Sequence, residues 1–384
     1  MPGARPGTGT RGPCSAALLL AALCLAQVLP AFSEMVDEQP SGLGKSPYPP
    51  SASIGGISFR WESHQRRAPG SDNWPITWAD DDNQYTSWGD GGGFGGDNVR
   101  GRVSLGVARI EGPADSYRGH NVWGGANAES PATFTGKSYG IVCIDGILYL
   151  WRSGAGSNTT AFDFQRLYRS KDHGRTWVGA DWQFTREDGF FAPTFLQFGR
   201  DYSGSRDGYV YIYAPERKTD RWTIQKPGEI ALIRVPRQRL FERGAYEFFA
   251  GEGKDGRPLW THRVAERKPV FSDAANGVMR ASATYNPGLD RYLLVTEHGR
   301  RARGNIGIYD APTPWGPWTT VLFANAFGAP HIEANTFFWV FSNKWTSVDG
   351  RRFTLVFTGR DANDSWNTVD GSFSLRRGRG SNLP

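Results

Sequence analysis

The 384-residue chain has little sulfur and little histidine: three cysteines, three methionines and six histidines. Cys14 and Cys24 fall in an N-terminal stretch that reads as an export signal. Arg5 and Arg11 precede an apolar run from Ala16 to Leu29, and Ala31-Phe32-Ser33 offers a small-x-small cleavage site before Glu34. The expected organisation is a signal over 1–33, a flexible Pro/Ser/Gly-rich lead-in over 34–53, and a single folded domain over 54–384. Loss of the signal would leave Cys143 alone in an apolar strand, which excludes an intrachain disulfide. The apolar run is short for a bilayer span and no later segment approaches one. The expectation is therefore an exported monomer, secreted or periplasmic, with no membrane span. His120, His298 and His331 show no zinc-ligand spacing, so no metal site is expected from them. The formal charge of +6 comes from arginines scattered among carboxylates, apart from Arg376, Arg377 and Arg379, and no single-sign stripe runs along the chain. That pattern argues against nucleic acid as a partner.

Long amphipathic helical patterns are also absent. What the chain has in quantity is 49 glycines, 15 tryptophans, 23 phenylalanines and 14 tyrosines, a composition suited to many short strands joined by tight turns. One pattern occurs five times: an apolar strand, an Asp/Gly/Asn turn, and a second strand bearing an aromatic. The first strands are WPITWAD (74–80), YGIVCID (139–145), APTFLQFG (192–199), RASATYNP (280–287) and NTFFWVFSN (335–343). The aromatic of the second strand falls at Tyr85, Tyr149, Tyr211, Tyr292 and Phe353, and a third strand follows in every unit. Antiparallel units of this size cannot bury their faces alone, and stacking them radially makes an all-β, five-bladed propeller. The last unit ends at its third strand, so ISFRWESH (57–64) is expected to close the ring as its fourth. A pair of β-sandwiches is the competing architecture.

In a propeller the residues before first strands and those after second strands share one face. That geometry places Asp72, Asn73, Lys137, Glu187, Asp188, Arg280 and Glu333 together with Asp90, Arg152, Glu216, Glu297, His298 and Asp361. Asp80, Asp81 and Asp82 fall in the opposite turn, where short polar side chains bond to their own backbone. GDGGGFGGDN (89–98) becomes a loop beside the central pocket, its bare glycines letting a bulky ligand approach the backbone. Its carboxylates lack the spacing of an EF-hand loop, although a structural calcium in the channel stays open.

SKDHGRTW (170–177) resembles the Asp-box of sialidases and related propellers, which is a structural turn between third and fourth strands. NWPITWADDDNQYTSWGDG, VCIDGILYLW, PTFLQFGRDYSGSRDGYVYIY, RASATYNPGLDRYLLVTEHG and GNIGIYDAPTPWGPWTT resemble the secreted propeller family catalogued as domain of unknown function 4185. Members of that family are glycoside hydrolases acting as endo-D-arabinanases, so the resemblance implies a polysaccharide substrate and no cofactor. A more distant likeness is to the five-bladed family 43 glycosidases, whose general base is an aspartate opening the first inner strand. Asp72 occupies that place.

Glycoside hydrolysis needs two carboxyl groups, one protonated to help the leaving oxygen and one ionised to attack or to activate water. Asp72 is the expected base or nucleophile, Asp90 is its nearest companion, and Asp188 and Glu333 compete for the acid. Trp74, Trp88 and Trp123 are candidates for stacking on sugar rings, and Asn73, Lys137 and Arg280 for binding hydroxyls. A sialidase would need three arginines for the substrate carboxylate and a Tyr/Glu pair. A non-catalytic carbohydrate-binding propeller would keep the aromatics and lose the carboxylate pair.

Overall fold

The computed structural model describes residues 44–154, 162–219, 221–359 and 364–376. The signal, the first half of the lead-in (34–43) and Asp361 lie outside them. Strands dominate the described residues, and the helical structure is five 3₁₀ turns of three residues each.

The chain runs as successive antiparallel meanders. A long strand β1 (Ile54–Arg67) comes first, followed by β2 (Ile76–Trp78), β3 (Gln84–Gly89), β4 (Leu105–Glu111) and β5 (Arg118–Trp123). The second meander holds β6 (Lys137–Ile144), β7 (Ile147–Ser153) and β8 (Phe164–Ser170), with the two-residue β9 (Val178–Gly179) and β10 (Phe184–Thr185) along the outer edge of β8. The third holds β11 (Thr194–Gln197), β12 (Tyr209–Pro215), β13 (Glu229–Pro236), β14 (Glu247–Glu252) and β15 (Pro258–Thr261), while β16 (Pro269–Ser272) also pairs with β13. The fourth is β17 (Ala281–Asn286), β18 (Arg291–Glu297), β19 (Ile306–Ala311) and β20 (Thr319–Ala324). The last is β21 (Phe337–Phe341), β22 (Arg352–Thr358) and β23 (Trp366–Leu375), and β1 pairs antiparallel with β23 from Ile54↔Leu375 to Arg67↔Trp366. The innermost strands β11 and β17 touch in parallel through Leu196↔Ala283 and Gln197↔Thr284, which joins the third and fourth meanders into one sheet. Nothing in the strand pattern signalled that contact, because it arises only when two meanders pack side by side.

The turns after first strands are closed by aspartates. Tyr85 donates its hydroxyl to Asp81 at 2.8 Å, Tyr211 to Asp207 at 2.7 Å and Tyr285 to Asp290 at 2.8 Å. Asp82 accepts from the Trp78 indole at 2.9 Å and pairs with Lys344. In the turn between β8 and β9, Asp172 accepts from Ser170 Oγ at 2.7 Å and Thr176 Oγ1 at 2.6 Å. These carboxylates hold turns.

Candidate functional site

The site begins where β2 and β3 converge. Asp72 and Gly89 form an isolated antiparallel bridge: Asp72 N donates to Gly89 O at 2.9 Å, and Gly89 N donates back at 2.6 Å. This bridge sets the residue before the inner strand beside the one after its neighbour, so Asp72 and Asp90 share an end of the sheet. Gly89 is needed there, since a Cβ on it would stand 2.7 Å from Asp72 Oδ1 and 3.2 Å from Lys137 Cδ. Asp90 follows at φ 52°, a left-handed conformation that aspartate tolerates better than most residues. Such strain clusters at functional sites.

Lys137 opens β6 and brings Nζ within 2.6 Å of Asp90 Oδ1, with Arg102 Nη2 at 3.4 Å from the same oxygen. Asp90 therefore stands as an ion-paired carboxylate. Oδ1 of both aspartates is shut off from solvent without a hydrogen-bond partner, but Asp72, unlike Asp90, makes no ion pair among the described residues. Burial first, and then the negative charges of Asp364 and Asp90, push its carboxyl up to about 7 against the opposing pull of Lys137 and Arg280. Two neighbouring carboxyl groups with unlike environments are the arrangement from which acid and base roles are built.

Two further groups surround Asp72. Arg280, 2% exposed, is ion-paired with fully buried Glu297, and its guanidinium packs 4.6 Å from the ring centre of Trp222 and 4.3 Å from that of Phe337. Tyr139 on β6 is 1% exposed, its hydroxyl has no partner, and its titration responds to Arg280, Asp72, Asp90 and Glu297. Burial holds that phenol well above its ordinary range. The Tyr139 ring lies 5.7 Å from the partly exposed ring of Trp222, which stacks on Phe162 at 5.0 Å and 11°. The structure thus gathers Asp72, Asp90, Lys137, Arg280 and Glu297, and adds Tyr139, Trp222 and Asp364.

Several expectations are corrected. Trp74 and Trp88 are completely buried and Trp123 is 1% exposed, so none offers a ring face to a sugar. Trp74 packs on Trp88, Phe94 and Trp366 at 5.3 to 5.7 Å, and Trp123 packs on Phe134 at 4.6 Å. Asn73, 1% exposed at φ 57°, donates its backbone N–H to Thr358 Oγ1 at 2.9 Å, and its buried side-chain oxygen has no partner. Asp188 caps a 3₁₀ turn, accepting from Thr185 N at 2.7 Å, with Arg243 4.0 Å away. Glu333 lies exposed in the loop between β20 and β21. Neither acid stands among the groups that act on Asp72.

Among the described residues two groups could hold a metal ion, Asp80–Asp81–His173 and Asp80–Cys143–Asp201. Both lie around the turn after β2, at the opposite end of that strand from Asp72. Asp80 already accepts from His173 Nε2 at 2.9 Å, and Asp201 from Gly146 N at 2.9 Å. Cys143 is a free, buried thiol. No helix among the described residues is long and apolar enough to cross a membrane.

A comparison with curated proteins gives no match. Among solved structures, the GH43_1 enzyme from Xanthomonas citri is similar at 14% identity and a TM-score of 0.45, over 82% of this chain and 89% of that one. The RS223 β-xylosidase is similar at 12% identity and a TM-score of 0.45, over 85% and 100%. A protein of unknown function from Dyadobacter fermentans is similar at 9% identity and a TM-score of 0.47, over 84% and 100%. The family model described as domain of unknown function DUF4185 matches residues 147–327, a segment that holds Trp222, Arg280 and Glu297, while Asp72, Asp90 and Lys137 precede it.

Proposed function

We propose that this chain is a glycoside hydrolase that cleaves glycosidic linkages of a polysaccharide with Asp72 and Asp90. The five meanders are read as the blades of a propeller, with β1 as the fourth strand of the fifth blade, a reading supported by the β1–β23 pairing. The observation that carries the function is the contrast within one half-buried carboxyl pair: Asp72, with no ion pair among the described residues and a raised pKa, beside Asp90, which faces Lys137 at 2.6 Å. Asp72 is then the general acid, which protonates the leaving oxygen, and Asp90 is the nucleophile or base. This reverses the part that the likeness to family 43 glycosidases implied for Asp72. Because both residues end adjacent strands, about 4.8 Å apart, the pair favours retention of anomeric configuration.

The Tyr139 hydroxyl and Arg280 would bind hydroxyls of the sugar at the cleavage point, and Trp222 would stack on a ring, its apolar face meeting the C–H bonds of the sugar. This chemistry uses no cofactor. Arabinofuranosidic linkages are the first substrates to try, on the strength of the sequence resemblance. A sialidase is disfavoured because the arginines described at this cluster, Arg280 and Arg102, are already held by Glu297 and Asp90. Export with cleavage near Ser33 completes the proposal, and N-terminal sequencing of the mature chain tests it. The function is tested by reducing-end release from a panel of plant and microbial polysaccharides. Wild type and Asp81→Asn should cleave the same polymer, and Asp72→Asn should not. Equal activity in all three places the active centre elsewhere.

A further inference from the structure

A second feature stands apart from the carboxyl pair. Where the edge strands β1 and β5 come near each other, a cleft of about 620 Å³ is lined by Arg66, Arg67, Phe94, Tyr117, Arg118 and His120, among others, with no carboxylate in its wall. The glycine-rich loop that leaves Asp90 reaches the cleft at Phe94. Here Phe94 closes over Gly119, whose missing side chain leaves it room, and packs 5.6 Å from Trp74. Arg67 lies 5.6 Å from the ring centre of Tyr117 and donates to Gln65 Oε1 at 3.2 Å. Arg66 Nε donates to Ser365 Oγ at 3.1 Å. The Arg118 guanidinium makes no ion pair among the described residues. Two acids stand at the rim: Glu111 faces His120 at 3.7 Å and is already bonded to Arg109 at 2.7 Å, and Asp115 accepts from Ser116 Oγ at 2.9 Å. Ala68, on the wall, holds φ 47°, a strained conformation for a residue with a side chain.

Arg67 and Arg118, neither of them ion-paired among the described residues, line one concave surface, where their charges repel one another and focus a positive field. An anion relieves that repulsion, and a planar guanidinium matches the paired oxygens of a carboxylate, phosphate or sulfate. We propose that this cleft binds a small oxyanionic group, either a free ion or a substituent on a saccharide chain. Tyr117 and Phe94 would cover the apolar part of a saccharide whose anionic group meets the arginines. The proposal does not depend on the catalytic reading of Asp72 and Asp90.

Calorimetric titration of the full chain tests it with three probes: inorganic sulfate, a sulfated oligosaccharide, and the same oligosaccharide without sulfate. Wild type should bind at least one sulfated probe, more weakly as salt rises, while the neutral sugar gives no arginine-dependent binding. Arg67→Gln with Arg118→Gln should weaken the sulfated probes about tenfold or more, the scale of one or two lost charge-assisted hydrogen bonds. Arg118→Lys should lose less. A sulfated oligosaccharide that binds far more tightly than sulfate identifies the saccharide as the source, and equal affinities identify the free ion. Both arginines lie at the surface, so an unchanged melting curve shows that the variants fold. Unchanged affinity in the double variant, or no binding of any probe by wild type, overturns the proposal.

Discussion

Asp72 and Gly89 are locked by two backbone hydrogen bonds of 2.9 and 2.6 Å, and the bare α-carbon of Gly89 makes room for the Asp72 carboxyl and the Lys137 stem. A Gly89→Ala methyl would stand 2.7 Å from Asp72 Oδ1, closer than carbon and oxygen approach, so the carboxyl must move. The expected outcome is a loss of about 10²-fold in kcat/KM, the cost of misplacing a reacting group by about an ångström. Stability should fall by about 1–3 kcal/mol, the usual range for overpacking. Steady-state kinetics and a thermal melt check both, and full activity would show that Asp72 has no exact place to keep.

The raised pKa of Asp72 ties stability to pH. Its carboxyl titrates near 3.8 when free of the fold and about 7 within it, so the fold favours the protonated form. That contribution is fully present below about pH 3.8 and is lost as pH rises through about 7. Asp72→Asn removes the buried charge and should melt at a higher temperature than wild type above pH 7, by the equivalent of a few kcal/mol. The two proteins should converge toward acid pH. Identical curves at every pH would place Asp72 in a better solvated setting.

His298 works in the opposite direction. It is fully buried and stacked on Phe323 at 3.9 Å, and burial lowers its pKa from 6.5 to about 4. The neutral ring is the form the fold favours, so its contribution is present above pH 6.5 and is lost as pH falls toward 4. In the Asp72→Asn background, where the opposing contribution is gone, the melting temperature should drop across that window. His298→Phe should flatten the drop. Parallel curves with and without His298 would assign the acid sensitivity to other groups.

Trp222 is the aromatic platform of the account. Trp222→Ala should raise KM about tenfold and change kcat little, because stacking energy of about 1.4 kcal/mol acts on bound substrate and transition state alike. An unchanged KM would remove Trp222 from the substrate path.

Much of the strand order was legible because each meander repeats an apolar strand, an Asp/Gly turn and an aromatic strand, and these local signals survive packing. Asp72, Asp90, Lys137 and Arg280 were legible for a related reason: strand direction alone decides which ends share a face. Side-chain burial was not. Trp74 and Trp88 sit beside Asp72 and Asp90 in sequence, yet Trp366, nearly 300 residues away, helps seal Trp74 into the core. Trp222 lies in a polar loop with no counterpart in the other repeats, and Tyr139 looks like one more core aromatic of β6. Asp188 could have been read from the Thr185-x-x-Asp188 spacing, a variant of the capping box, which marks it as a turn cap.

The acid role of Asp72 is tested most directly by leaving-group dependence, since a departing phenolate needs no protonation and a sugar hydroxyl does. Asp72→Asn and Asp90→Asn would each be assayed on a polymer that wild type cleaves and on an aryl glycoside of the same sugar with a good leaving group. The account predicts that Asp72→Asn fails on the polymer but keeps much of its activity on the aryl glycoside, whereas Asp90→Asn fails on both. Loss of both activities in Asp72→Asn would return it to the nucleophile or base, and polymer cleavage at the wild-type rate by either variant would contradict the carboxyl pair itself.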